Sequence, residues 1–375
     1  MRIGIHAQPL SRQRTGIRNY VQGLVQLLPQ AAPQHDYFLY SNTDINLASS
    51  NGSFRERIDH TFSWCPGALW FKGRSGQLAR RDRVDVFWST ATMLPFWLPP
   101  NALKIVTVYD LVWVRCPETT TSYNLFLHKM WARRALNDAN YIVVISETVK
   151  EELIQTLGVP VEKIRLVYPG VSERYKVQDR SRAAAYISEK YGVPPRYIAT
   201  VGIVHPRKNL GLLVEVLRML KTSGEFDYPL LVGGPIGFKN SSLFQAIRDA
   251  GLTEKEIRFL GYLPEEDMPA FYAGAQLFLF PSLYEGFGLP PVEAMACGTP
   301  VISSDAPSMP EVLGEAAILE PLSSPERFAS AIKKVLADDG LRSSMRAKGI
   351  CRAESFRYET SVRKLLEVFG ETPFS

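Results

Sequence analysis

The chain has 375 residues, 46% hydrophobic and 22% charged, with a formal net charge of +5. That length is enough for two full domain cores, and no apolar run reaches the roughly eighteen residues a membrane-spanning helix needs, so an integral membrane helix is excluded. The basic excess sits in residues 1–170, with 19 Lys/Arg against 13 Asp/Glu, whereas residues 171–375 carry 24 against 25. No basic helix interleaved with aromatics marks a nucleic-acid partner.

Met1-Arg2-Ile3-Gly4-Ile5-His6-Ala7 opens directly as a strand without a signal-peptide pattern, which predicts a cytoplasmic protein. Further strands are expected at 37–41, 84–88, 104–109, 140–145 and 164–168. Between the first two, Ile17, Tyr20, Val21, Leu24, Leu27 and Leu28 share one helical face. Ser146 is placed to N-cap a helix Glu147–Leu157 that Gly158 ends. The pattern then begins again, with strands near 196–202, 229–233, 257–260, 276–280 and 299–303 and helices near 208–221, 241–250, 265–274, 290–296 and 325–337. Strand and helix alternating twice over is the signature of two doubly wound α/β, Rossmann-like domains. A polar hinge is expected at 171–194, which puts an N-terminal domain at 1–175 and a second at 176–354. Basic clusters at Arg12-Gln13-Arg14, Arg80-Arg81-Asp82-Arg83 and Arg133-Arg134 allow contact with an anionic membrane surface, at the inner face of the membrane.

Cys65, Cys116, Cys297 and Cys351 form no Cys-x-x-Cys pair, and His6, His35, His60, His128 and His205 have no ligand spacing. Neither a disulfide framework nor a metal site is predicted. Serine and cysteine nucleophile motifs are absent as well. Val232-Gly233-Gly234-Pro235-Ile236-Gly237 lacks the order of a dinucleotide fingerprint and reads as a turn.

Ligands of open parallel sheets sit at the carboxyl ends of the strands, so the chemistry belongs just after each strand. Two stretches fit. After the strand at 196–202 comes Ile203-Val204-His205-Pro206-Arg207-Lys208-Asn209-Leu210, which places two cations before a helix, where they can neutralise a diphosphate. After the apolar run 276–281 comes Tyr284-Glu285-Gly286-Phe287-Gly288-Leu289-Pro290-Pro291-Val292-Glu293. Gly286 and Gly288 let backbone approach a ligand, the N–H groups of the first helical turn favour an anion, and each glutamate can accept hydroxyl hydrogens from a polyol.

This second stretch, continued through Cys297-Gly298-Thr299-Pro300-Val301, resembles the family-4 (group 1) retaining glycosyltransferases of the two-domain GT-B type, and Pro206-Arg207-Lys208-Asn209-Leu210 is similar to the same family. The resemblance implies two Rossmann-like domains facing each other across a cleft, the first holding the acceptor and the second a nucleotide-sugar donor, with a final helix in 355–372 crossing back to the first. It also implies residue roles: Arg207 and Lys208 on the diphosphate, Glu293 on the ribose, and Glu285 with the amides of Phe287, Gly288 and Leu289 on the sugar. The loop at Gly16 would close on the donor diphosphate or the acceptor, and Gly261, Tyr262 and Leu263 would frame the base. Two departures stand out. Ile203 replaces an arginine common in relatives, which leaves Arg207 as the second cation, and Tyr109 precedes Asp110 where relatives often carry a histidine reaching for the transferred sugar. No metal and no cofactor are expected, since the cations and helix ends supply the positive charge. The expected reaction moves a hexose, mannose or glucose, from a GDP-, UDP- or dTDP-sugar to a glycan or lipid-linked saccharide in surface-polysaccharide assembly. The alternatives are a sugar-nucleotide 2-epimerase of similar architecture and a catalytically silent binding subunit.

Overall fold

The computed structural model describes residues 1–375 except 12–14, 48–51, 63–66, 120–121, 223, 225 and 371–375, and gives no side-chain detail for 62, 119, 122–124 and 126–129. The Arg12-Gln13-Arg14 cluster, Cys65, the His128 side chain and the end of the expected final helix therefore lie outside the described residues. Contacts divide the chain into two units, Met1–Gly170 with Arg357–Ser375, and Val171–Phe356.

In the first unit the strands are β1 (Arg2–His6), β2 (Asp36–Ser41), β3 (Phe54–Ile58), β4 (Val86–Ser89), β5 (Leu103–Val108), β6 (Tyr141–Val144) and β7 (Ile164–Leu166), paired in the order β3-β2-β1-β4-β5-β6-β7. Every pairing is parallel. Strands buried on both faces read as near-continuous apolar runs, as β5 and β6 do. β3 escaped the sequence reading because it is an edge strand, Phe-Arg-Glu-Arg-Ile, whose charges guard an open edge. Arg57 forks onto Asp82 at 3.0 Å and Arg55 pairs with Asp36 at 2.9 Å.

The helix Gly16–Ala31 starts on Thr15, whose hydroxyl accepts from the Arg18 amide at 3.2 Å, and buries Tyr20, Val21, Leu24, Val25 and Leu28. Ile17, expected on that face, stays exposed in the first turn, and Val25 takes part instead. The helix Tyr358–Gly370 belongs to this unit and packs on it. Tyr358 lies flat on Gly23, where a Cβ would come within 2.2 Å of its ring, and donates to the Asn19 carbonyl at 2.8 Å. Ser361 donates to the Tyr168 carbonyl at 2.6 Å, and Phe369 meets Trp88 at 5.9 Å. Ser146 caps Glu147–Leu157 as its sequence position predicts, accepting from the Val149 amide at 3.1 Å.

In the second unit β8 (Ile198–Val201), β9 (Leu230–Gly233), β10 (Ile257–Gly261), β11 (Phe278–Phe280), β12 (Val301–Ser304) and β13 (Ile318–Glu320) pair in parallel in the order β10-β9-β8-β11-β12-β13. β13, another short edge strand, had no periodicity to betray it. The core joins Ile198, Leu213, Val216, Leu277 and Ile302 with Phe328 and Ile332 of the helix Pro325–Ala337. The buried carboxylate of Asp267 ties the helix Arg180–Tyr191 to Met268–Gly274, accepting from Tyr186 and Tyr191 hydroxyls at 2.5 Å and Lys190 at 2.8 Å. Burial opposes that charge, but these three donors outweigh it and hold the Asp267 pKa below its ordinary value.

Candidate active site

The order of strands reverses between β8 and β11, which is where open α/β sheets bind ligands. Chain geometry delivers three loops there. Beyond β8, Gly202 takes φ 152° and His205 caps a short 3-10 turn, Pro206–Lys208, accepting from the Arg207 amide at 3.2 Å. Asn209 then turns left-handed at φ 50° before the helix Leu210–Thr222. Arg207 and Lys208 thus sit on a separate turn and not on the helix N-terminus that the sequence suggested. A Cβ at Gly202 would lie 3.1 Å from Lys208 Cε, so the lysine stem runs along bare backbone. With Phe280 and Ser282, those two residues line a pocket at the ends of β8 and β11.

From β11 the chain runs through Glu285 to Gly288, left-handed at φ 86°, and into the helix Leu289–Ala296. A Cβ on Gly288 would come 2.5 Å from Met309 Cε, the movable end of a flexible side chain, so it is the left-handed angle that calls for glycine. Pro290 and Pro291 fill the first turn. Having no N–H, they leave this turn with fewer donors to offer an anion than an ordinary helix start has. Glu293 is the fifth helical residue, one position further along than the expected helix start at 290 would place it.

Glu285 is 8% exposed, and both cations converge on it: Lys208 Nζ donates to Oε1 at 2.6 Å and Arg207 Nη1 lies 3.5 Å from Oε2. Arg207 also donates to the Tyr284 carbonyl at 3.1 Å, and the Lys208 ammonium stands 4.9 Å over the Phe280 ring. Burial by itself would raise the Glu285 pKa, but the Lys208 and Arg207 charges overcome it and hold the carboxyl below its ordinary value. Sequence reasoning had given the acid and the bases separate partners; in this state they are one ion-paired cluster. Below it, Ser308, left-handed at φ 72°, places its hydroxyl 3.0 Å from both the Glu285 and Gly286 carbonyls.

Glu293, 5% exposed, accepts from the Tyr272 hydroxyl at 2.8 Å. Tyr272 is itself fixed, its carbonyl accepting from Thr299 Oγ1 at 2.7 Å and its ring edge-on to Phe278 at 5.4 Å. Burial, reinforced by the nearby Glu293 charge, pushes the Cys297 thiol pKa well up, so this cysteine is inert at neutral pH. Phe287 is buried and edge-on to Phe356 at 5.1 Å. Gly261, at φ 70°, accepts from the Gly234 amide at 2.7 Å, with Tyr262 half exposed and Leu263 buried. A Cβ on Gly234 would reach 2.2 Å from the Gly202 carbonyl oxygen, and the stretch expected as a turn is instead the end of β9 followed by single bridges from Gly234 to Gly261 and from Ile236 to Val204.

Three expected residues lie in the first unit. Gly16 opens the Thr15-capped helix with no neighbour within 4 Å of a built Cβ. Tyr109 donates its hydroxyl to the Thr90 carbonyl at 3.1 Å and packs edge-on to Tyr20 at 5.6 Å, while Asp110 accepts from the Val112 amide at 3.2 Å. Both side chains thus already have structural partners. Beside them at the strand ends is a buried network that sequence reasoning missed: His6 Nε2 lies 2.9 Å from Gln8 Oε1, Gln8 donates to Asn42 at 2.6 Å, and Thr90 Oγ1 donates to the His6 carbonyl at 2.7 Å. Ser308, Tyr272 and Phe280 were missed too, since no residue type or spacing marks a supporting contact from a distant loop.

Two parallel doubly wound units, one carrying Arg207, Lys208 and Glu285 as an ion-paired cluster at its sheet's reversal point, are the architecture of the GT-B glycosyltransferases. The family models for Glycosyltransferase Family 4 and Glycosyl transferases group 1 match residues 14–174 and 185–351 respectively, and the chain belongs to this family of glycosyltransferases. It is 27% identical to O-antigen chain mannosyltransferase B of Escherichia coli, over 98% of this chain and 99% of that protein. With O-antigen chain mannosyltransferase RfbU of Salmonella typhimurium it shares 29% identity over 62% of this chain and 60% of the relative. The fold matches the crystal structure of Anabaena Alr3699/HepE in complex with UDP-glucose, with a TM-score of 0.76 at 18% identity and 98% of each chain covered. Among the described residues no helix is long and apolar enough to cross a membrane, and no three His, Cys, Asp or Glu side chains gather as metal ligands.

Proposed function

We propose that this glycosyltransferase moves a hexose, mannose by preference, from a nucleoside-diphosphate sugar to a glycan or lipid-linked saccharide in surface-polysaccharide assembly, with retention at the anomeric carbon and without a metal. The observation that carries the reading is the convergence of Arg207, Lys208 and Glu285 at the reversal point of the second sheet. The full-length likeness to an O-antigen mannosyltransferase supports mannose and a polysaccharide acceptor. In this reading Lys208 and Arg207 hold the diphosphate and stabilise the charge that builds on it as the glycosidic bond breaks. Glu293, steadied by Tyr272, takes the ribose hydroxyls, and Glu285 takes those of the sugar. The incoming hydroxyl attacks from the face the diphosphate leaves, within an ion-pair-like transition state, and the departing phosphate receives its proton.

The test incubates purified protein with GDP-mannose or UDP-glucose and an oligosaccharide acceptor, in EDTA, and follows the anomeric proton by NMR. An α-linked product is expected. Isomerised sugar nucleotide, an inverted product, or activity restored only by Mg²⁺ would each overturn the corresponding part.

We also propose a peripheral contact with an anionic bilayer through the first unit. Phe96, Trp97 and Met130 are 39%, 56% and 45% exposed, and Arg134 lies 5.8 Å over the Phe96 ring. Aromatic and aliphatic groups beside arginine suit the headgroup boundary. Co-sedimentation with phosphatidylglycerol vesicles that Trp97→Ala weakens is the expected result; equal binding to phosphatidylcholine would refute the charge argument.

A further inference from the structure

Glu285 occupies the positive charge that a diphosphate needs. Its two carboxylate oxygens face Lys208 and Arg207 at 2.6 and 3.5 Å, and the three side chains are 10%, 17% and 23% exposed, so the cluster is largely shielded from water. The cations have little freedom to serve a ligand from elsewhere. Lys208 is bounded by the Gly202 backbone on one side and the Phe280 ring on the other, and Arg207 is tied to the Tyr284 carbonyl at 3.1 Å. A phosphate arriving at Lys208, which lines the pocket at the ends of β8 and β11, adds two or more negative charges beside a buried carboxylate. Like charges held this close and shielded from water repel, so the phosphates and the carboxylate compete for the same two cations.

We infer that Glu285 is a place-holder which the donor's diphosphate displaces, so that arrival of the phosphates at Lys208 and Arg207 is what releases the carboxylate to the sugar. This role rests on the functional reading above and adds an order of events to it. The backbone stays put during the exchange, because the Ser308 hydroxyl lies 3.0 Å from the Glu285 and Gly286 carbonyls; only the side chain changes partners. One consequence separates a sugar nucleotide from its product. The sugar's hydroxyls give the displaced carboxylate new hydrogen bonds, whereas a bare nucleoside diphosphate brings it none. Glu285 therefore weakens the hold on the spent diphosphate and favours its release.

Calorimetry with GDP and UDP on wild-type protein and on Glu285→Gln, which keeps the shape and removes the charge, tests the exchange. The variant is expected to bind the preferred diphosphate about tenfold more tightly, a charge-assisted hydrogen bond no longer being broken, while turnover falls about 10²-fold. Guanosine and uridine, which bring no phosphate, should bind both forms equally, and Glu285→Asp, which keeps the charge, should show no tightening. Weaker or unchanged diphosphate binding by Glu285→Gln would overturn the place-holder role, as would tightening by Glu285→Asp or a matching change for the nucleosides. Absence of diphosphate binding in the wild type would instead remove the functional reading on which the role depends.

Discussion

Replacing Lys208 by methionine keeps the stem against Gly202 and Phe280 and removes only the ammonium. What is lost can be read from the contacts: a 2.6 Å charge-assisted hydrogen bond to Glu285 and a cation 4.9 Å over Phe280. The first contributes about 1.5–3 kcal/mol and the second about 1, and Glu285, 8% exposed, is left with Arg207 at 3.5 Å as its remaining ion pair. A destabilisation of about 3 kcal/mol is expected in urea unfolding followed by circular dichroism, because stranding one member of a buried pair costs more than removing both. The double variant Lys208→Met with Glu285→Gln should accordingly recover most of that stability while turnover stays down by about 10²-fold or more, as the departing phosphate still lacks its cation. A single variant within about 0.5 kcal/mol of wild type would refute the structural estimate, and near-normal turnover would move the electrostatic role to Arg207.

Glu293→Gln should weaken nucleoside-diphosphate binding by about tenfold in calorimetry, and 2′-deoxyribose nucleotides should feel the change less; equal losses for both would remove the ribose assignment. Tyr272→Phe, which deletes the 2.8 Å donor to Glu293 without touching a ligand, is expected to weaken the same binding by a smaller factor, and an unchanged dissociation constant would count against that support. Acid stability follows from Glu285 and Asp267, both held below their ordinary pKa. For groups depressed in the folded state the stabilisation is complete above the unfolded carboxyl pKa of about 4 and is lost as pH falls through the folded values. Melting temperature should be level down to about pH 5 and then drop, with Asp267→Asn, already destabilised at neutral pH, showing a shallower acid slope; an unaltered slope would contradict the assignment.

Most of the fold was legible because it depends on local signals. Alternating apolar runs gave the interior strands, Ser146 and Gly158 bracketed their helix, and the glycine-proline frame around Glu285 marked the loop that the structure places at the sheet's reversal point. Edges were illegible for physical reasons: β3 carries Arg55, Glu56 and Arg57 in place of apolar residues, and β13 has three residues, too few to show a period. In the site, residue type located the cations and carboxylates but not their mutual engagement. Charge pairing between residues 77 positions apart, as for Lys208 and Glu285, is set by how β8 and β11 sit side by side, which no spacing along the chain records. The same holds for Ser308 and Tyr272, whose importance comes wholly from what the fold puts beside them.

The helix Tyr358–Gly370 completes the first unit although residues 171–356 intervene in the chain. During synthesis from the N-terminus, the groove over Gly23 and Trp88 must wait for Tyr358 and Phe369 until the whole of the second unit has left the ribosome. The second unit is contiguous, so its chain is complete before that of the first, and the half of the molecule that is begun first is finished last. Its unfilled apolar groove is in the meantime an opening for chaperones, or for a neighbouring chain's own Tyr358–Gly370 helix to dock there by exchange.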